Sequence, residues 1–173
     1  MPRIPYVDTD RLPESIKAAL STRPPLNLYR MLPNAGTAAT EGFLALGNAL
    51  LRQGDLDPQL RELAILRVGH LSDASYEVHQ HERVAARVGL PEEKIRATST
   101  GADAPVFDDR ERLVLRYVDT VVRSVKASDD EFAAVRTQLG DQGVCELTLT
   151  IGFYMLVSRF LENLEVEIEG EAR

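Results

Sequence analysis

Apolar residues recur at helical spacing along most of this chain. The clearest case is Val114, Val118, Val121 and Val125, which fall at steps of four, three and four with charged residues on the other side. No run of alternating residues is long enough to predict a sheet. The pattern predicts an all-α fold of about 7–8 helices. Their predicted ranges are 12–20, 37–51, 58–71, 73–88, 91–95, 109–125, 128–139 and 141–164.

Residues that start and stop helices define several of these boundaries. Asp57 followed by Pro58 is typical of an N-cap and the first helical position. Ser128 with Glu131 three residues later predicts a capping box, in which each residue binds the backbone N–H of the other. Gly140 predicts a break between the last two helices.

The chain is predicted to form one helical-bundle domain over residues 1–173. Its 173 residues, 44% of them hydrophobic, are enough to bury about 70% of the surface of the unfolded chain. The prolines lie at or before Pro105 and crowd the start of the chain. Residues 1–35 are therefore expected to be an irregular segment with a short helix.

Two predicted helices are apolar on nearly every side. They cover residues 60–71 and 147–161, and such helices are buried all round. Because one chain of this size has little room for two of them, we expect a homo-oligomer, in particular a trimer or a hexamer, with a dimer as the alternative.

Charge and composition exclude several classes of protein. A formal net charge of −7 argues against binding to nucleic acid or to an anionic membrane. A single cysteine, Cys145, excludes an intramolecular disulfide, and we expect it to be a small buried packing residue. The chain begins without a secretory signal, and the uncharged apolar stretch 147–158 is too short to span a bilayer. A cytoplasmic location is expected.

The three histidines, His70, His79 and His81, lie within one window of 12 residues. Glu77 and His81 are four residues apart, so they share a helix face, whereas His79 points elsewhere. A carboxylate beside an imidazole raises the pKa of the imidazole and prepares it as a general acid or base. The alternative is an ordinary ion pair on a helix surface, which contributes a few tenths of a kcal/mol.

Metal and cofactor sites are not expected. The histidines and glutamates lack the spacing of a helical metal site, and no glycine-rich phosphate loop is present. Arg67 interrupts an apolar helix, and a buried arginine needs an anionic partner. That partner is either a carboxylate of the protein or a carboxylate of a substrate.

Two stretches resemble the carboxymuconolactone decarboxylase family, within the alkylhydroperoxidase D-like superfamily. They are LDPQLRELAILRV from Leu56 and YEVHQHERVAARVGL from Tyr76, and the end of the chain, IGFYMLVSRFLENL, is also similar. The resemblance is strongest over residues 57–94. It implies an all-α fold that assembles into dimers, trimers or hexamers, with the active site near a subunit contact.

The peroxidase branch of that superfamily has a glutamate, a Cys-x-x-Cys pair and a histidine in a fixed order. On this resemblance Glu62 corresponds to the glutamate and His81 to the histidine, but the cysteine positions are Ala74 and Glu77. Without these thiols a dithiol peroxidase mechanism is excluded. The histidine of the decarboxylase branch also corresponds to His81.

The resemblance and the residues together predict a cofactor-free lyase or isomerase that transfers protons on a small carboxylated or lactone-like substrate. A non-catalytic helical oligomer or binding protein of the same family is the alternative, and an antioxidant protein of the alkylhydroperoxidase type is a third, which the missing cysteines disfavour. The expected catalytic residues are His81, Glu62, Glu77 and Tyr76, and the expected substrate-binding residues are Arg67 and His79.

Overall fold

Eight α-helices and no β-strand form the computed structural model, which describes residues 1–170. This confirms the all-α prediction. The helices are α1 (Glu14–Ser21), α2 (Asn27–Met31), α3 (Thr37–Asn48), α4 (Pro58–Leu71), α5 (Ser75–Arg87), α6 (Glu92–Ala97), α7 (Asp109–Ser124) and α8 (Asp129–Leu164).

The predicted helix boundaries are largely confirmed by the capping contacts. The Asp57 side chain accepts hydrogen bonds from the backbone N–H groups of Gln59 and Leu60, at 2.8 and 3.2 Å. Ser128 and Glu131 form the predicted capping box at the start of α8. Helix α2, which lies in the segment expected to be irregular, was missed because five residues are too few to show a period.

Two compact units are distinguished by the contacts within the chain. The first comprises Met1–Gln53 and Phe160–Arg173, and the second comprises Gly54–Arg159. In the first unit the two terminal segments meet, because Arg3 N–H donates to the carbonyl of Leu164 at 3.0 Å. In the second unit α4 packs against both α5 and α7. A single domain over the whole chain stays a prediction.

Helix α4 is surrounded by its own chain. Every residue from Leu60 to Gly69 is buried, including three charged ones. Of the two apolar helices from which a homo-oligomer is expected, this one is covered within its own chain by α5 and α7, and the homo-oligomer stays a prediction. Burial on all sides also means that each charge on α4 requires a partner inside the fold.

Helix α8 is broken at Gly140, as predicted, where φ is 71° and ψ is 176°. Beyond the break one side remains open: Leu149 and Leu156 are exposed by 56% and 53%. Cys145 is exposed too, so its predicted burial is wrong. By length and composition α8 could cross a membrane, yet half of its most apolar window is buried, as in the core helix of a soluble protein.

The sequence pattern places Val125 on the apolar face of α7, but this is wrong. Val125 follows the end of α7 and is 86% exposed. Its φ is 66° and its ψ is −42°, and Lys126 N–H donates to the carbonyl of Ser124 at 2.7 Å. These values define a γ-turn with positive φ, which is strained for a β-branched residue.

Replacing Val125 by Gly is expected to raise the free energy of unfolding by about 1 kcal/mol, because Gly adopts positive φ without strain. Urea unfolding measures the change. Val125→Ala serves as the control. Because Ala keeps the Cβ atom, this substitution should raise the free energy of unfolding less than Val125→Gly does. Equal effects of the two substitutions would show that the turn is not strained.

Candidate functional site

Glu62 and His81 meet between α4 and α5. The His81 Nδ1 atom lies 2.6 Å from Glu62 Oε2, although the residues are 19 apart in the chain. Glu62 is fully buried at 0% exposure, and His81 is buried as well. The interpretation of His81 as a member of a simple surface pair is therefore wrong.

Glu77 completes a cluster of three. Its Oε1 atom lies 3.1 Å from His81 Nε2, one helical turn away on α5. Glu77 is also buried, in the first turn of α5, where the positive end of the helix favours an anionic side chain. The His81 ring thus has one carboxylate at each nitrogen.

Arg61 is the fourth charged residue of the cluster. Its Nε atom lies 3.3 Å from Glu62 Oε1, so both oxygens of Glu62 are engaged. Arg61 is itself 7% exposed. It stands next to Glu62 in an apolar helix, and sequence reasoning could have found it by asking what neutralises a buried glutamate.

The two carboxylates determine the charge of His81. Burial lowers the pKa of the imidazole, but attraction and hydrogen bonding to Glu62 and Glu77 outweigh this effect and raise the pKa to about 10. His81 is therefore an imidazolium at neutral pH, and both of its ring N–H groups donate.

The proton on His81 makes the stability of the fold dependent on pH. The pKa is about 10 in the folded chain against an ordinary value of 6.5. The stabilisation is complete below pH 6.5, and it is lost as the pH rises through about 10, because the unfolded chain releases this proton first.

Urea unfolding across that range should show a decline that is steeper in the wild type than in His81→Gln. Because other groups titrate in the same range, the difference between the two proteins is the quantity that reports on His81. Parallel curves would contradict the assignment of a charged imidazole.

One tyrosine packs on His81, and a second is the chain neighbour of Glu77. Tyr154 of α8 presents an edge-to-face contact to His81, with ring centroids 4.9 Å apart. Tyr76 is buried on α5 beside Glu77 in the chain, about 100° away around the helix. Sequence reasoning noted Tyr154 only as a polar group in an apolar helix, since nothing local connects it to His81.

Arg67 is engaged by groups of its own chain. Its guanidinium forms a bidentate pair with Asp119, at 2.5 and 2.8 Å, and donates to the carbonyls of Thr98 and Ser99. Gly101, at φ +93°, leaves the space: a Cβ atom there would lie 2.7 Å from the guanidinium carbon. The hypothesis that Arg67 binds a substrate carboxylate is therefore withdrawn.

The other two histidines lie outside the cluster. His79 is half-buried on a different side of α5 from His81, and its role in substrate binding stays a prediction. Burial lowers the pKa of His70, at the end of α4. Within residues 1–170 no group of three or more His, Cys, Asp or Glu side chains could hold a metal ion.

Comparison with known proteins identifies the family. Residues 37–120, which contain the whole cluster around His81, match the carboxymuconolactone decarboxylase family. YnjA, an uncharacterized protein of Escherichia coli, is 30% identical over 127 residues, which cover 70% of this chain and 68% of YnjA.

Two solved structures are similar over most of the chain. A protein of unknown function from Agrobacterium tumefaciens, grouped with the antioxidant-defence protein AhpD, is 25% identical with a TM-score of 0.74, over 80% of this chain and 96% of its own. An uncharacterized peroxidase-related protein from Ralstonia eutropha with an alkylhydroperoxidase AhpD core has a TM-score of 0.86 at 16% identity, over 98% and 93%. At this identity, the similarity to the Ralstonia protein shows only that the two chains share a fold. By its sequence matches and its helical fold, this chain belongs to the carboxymuconolactone decarboxylase family.

Proposed function

We propose that this protein is a cofactor-free enzyme of the lyase or isomerase type that transfers protons on a small carboxylated or lactone-like substrate. The observation that carries the proposal is the buried, contiguous arrangement of Glu62, His81 and Glu77, with contacts of 2.6 and 3.1 Å. Hydrogen-bonded titratable groups in a water-poor site are typical of general acid–base catalysis.

Each member of the cluster has a separate task. Glu62, bound by Arg61, fixes the imidazole ring and its charge. His81 connects the two carboxylates and serves as donor or relay for a proton. Glu77 occupies the position at which the peroxidase pattern has its second thiol, and it contacts His81 through Oε1. Because no thiol stands at positions 74 and 77, we do not propose a peroxidase.

Exchange of carbon-bound hydrogen tests this function. The protein is incubated in D₂O with a panel of small lactones and ketones, and loss of the C–H signal is followed by NMR. We expect catalysed exchange that falls in Glu62→Gln and is kept in Cys145→Ser, which removes the thiol. A folded wild-type protein that catalyses no exchange would favour the alternative, a binding protein of the same family.

We propose that the protein is a soluble cytoplasmic homo-oligomer whose contact includes the open side of α8. Leu149 and Leu156 lie one above the other on that side, with exposed Gly152 between them. Burying such side chains against a second copy removes apolar surface from water. Light scattering should report a trimer or hexamer, or else a dimer. Leu149→Glu should weaken the association between subunits. A monodisperse monomer at micromolar concentration would contradict the proposal.

A further inference from the structure

His81 has no ring nitrogen left for a substrate. Glu62 occupies Nδ1 and Glu77 occupies Nε2. A substrate that contacted the imidazole would have to displace a buried carboxylate, which would leave that charge without its partner. The group that contacts the substrate must therefore be one of the neighbours of His81.

Glu77 is the neighbour that fits. Both oxygens of Glu62 are engaged, by Arg61 and by His81, and Glu62 has no exposure. Glu77 uses Oε1 for its contact with His81, and among residues 1–170 His81 is its one ion-pair partner. Its second oxygen remains able to accept a proton.

The charges around Glu77 constrain the substrate. Arg61 and His81 are positive, and Glu62 and Glu77 are negative, so the cluster is neutral as it stands. Arg67 is committed to Asp119. A substrate carboxylate next to Glu77 would be a second anion in a buried site with no uncommitted cation among the groups that contact it, which is unfavourable.

We propose that Glu77, held by the His81 imidazolium, is the catalytic residue that exchanges a proton with the substrate, and that the substrate is uncharged where it meets Glu77. This inference rests on the proposed function. The substrate class is a neutral compound with an acidic C–H bond beside a carbonyl, such as a lactone or a ketone.

The proton-transfer step balances without a co-reactant. The C–H bond of the substrate breaks, its electron pair moves into the carbonyl to give an enolate, and an O–H bond forms on Glu77. Return of the proton to the same carbon gives exchange, and return to another carbon of a conjugated substrate gives isomerisation. Nothing is oxidised or reduced.

Matched pairs of substrates test both parts of the proposal. Butyrolactone and cyclohexanone are each compared with a carboxylated analogue, and incorporation of deuterium from D₂O is measured by NMR. The variants are Glu77→Gln, Glu77→Asp and His81→Asn. Glu82→Gln is the control, because it makes the same change at an exposed position of the same helix.

We expect the neutral compounds to exchange faster than their carboxylated analogues. In Glu77→Gln, the kcat for exchange of the neutral compounds should fall by about 10²-fold or more, with little change in KM. Glu77→Asp should retain part of the rate, and Glu82→Gln all of it. Circular dichroism verifies that each variant is folded, and Glu77→Asp replaces Glu77→Gln in the comparison if the latter unfolds.

Each of the other outcomes contradicts one specific part of the proposal. Faster exchange of the carboxylated analogues overturns the substrate class. Full activity of folded Glu77→Gln together with loss in His81→Asn overturns the role of Glu77 and leaves the proposed function standing. No exchange of any compound by the folded wild type overturns the proposed function itself.

Discussion

Turnover of the substrate is expected to fall by about 10²–10⁴-fold when His81 is replaced by Asn, the usual effect of losing a positioned acid–base group. Asn cannot carry the proton that His81 holds between Glu62 and Glu77. It also cannot bridge two carboxylates that approach from opposite sides of a ring. The chain of proton-transfer groups is then interrupted at its centre.

The control is His79→Asn, which removes an imidazole from the same helix outside the cluster and should have a much smaller effect. Rates are measured per folded molecule, with helicity and oligomer size determined for both variants. If the two variants lose activity equally, the cluster around His81 is not the catalytic site.

Replacing Arg67 by Met is expected to lower the free energy of unfolding by about 3 kcal/mol, in the range for removing one partner of a buried ion pair. Met keeps the apolar stem but removes the donors to Asp119 and to the carbonyls of Thr98 and Ser99. Asp119 is partly exposed at 29%, so water recovers some of the loss.

Arg116→Met is the matched control. Arg116 lies on α7, is 64% exposed and approaches Asp103 only to 3.9 Å, so its removal should cost less than about 1 kcal/mol. Urea unfolding compares the two. Exchange activity measured on folded Arg67→Met should be kept, and a selective loss of substrate affinity in that variant would restore Arg67 as a substrate-binding residue.

Local signals in the sequence predicted the helices and half of the cluster. Asp57 and Gly140 mark helix ends through backbone chemistry that acts within a few residues, and the structure has them as expected. Glu77 and His81 are one turn apart on one helix, so spacing alone places them together. Glu62 was assigned from the family resemblance, and its contact with His81 joins two helices.

The remaining features depend on contacts that no local pattern carries. Arg67 and Asp119 are 52 residues apart, and their pairing follows from the packing of α4 against α7. Tyr154 reaches His81 from α8 for the same kind of reason. Val125 lies at helical spacing from Val121, but α7 ends at Ser124 and Val125 lies in the turn that follows.

The occupation of positions 74 and 77 by Ala and Glu, and not by cysteines, has a consequence for the conditions under which the site can work. A dithiol centre is active only while a reductant in its surroundings restores the thiols after each cycle. Carboxylates and an imidazolium do not change oxidation state as the thiol–disulfide potential of the compartment shifts. The proton transfer proposed for the cluster around His81 would therefore need no electron donor, and it would proceed unchanged during oxidative stress, when dithiol centres are consumed.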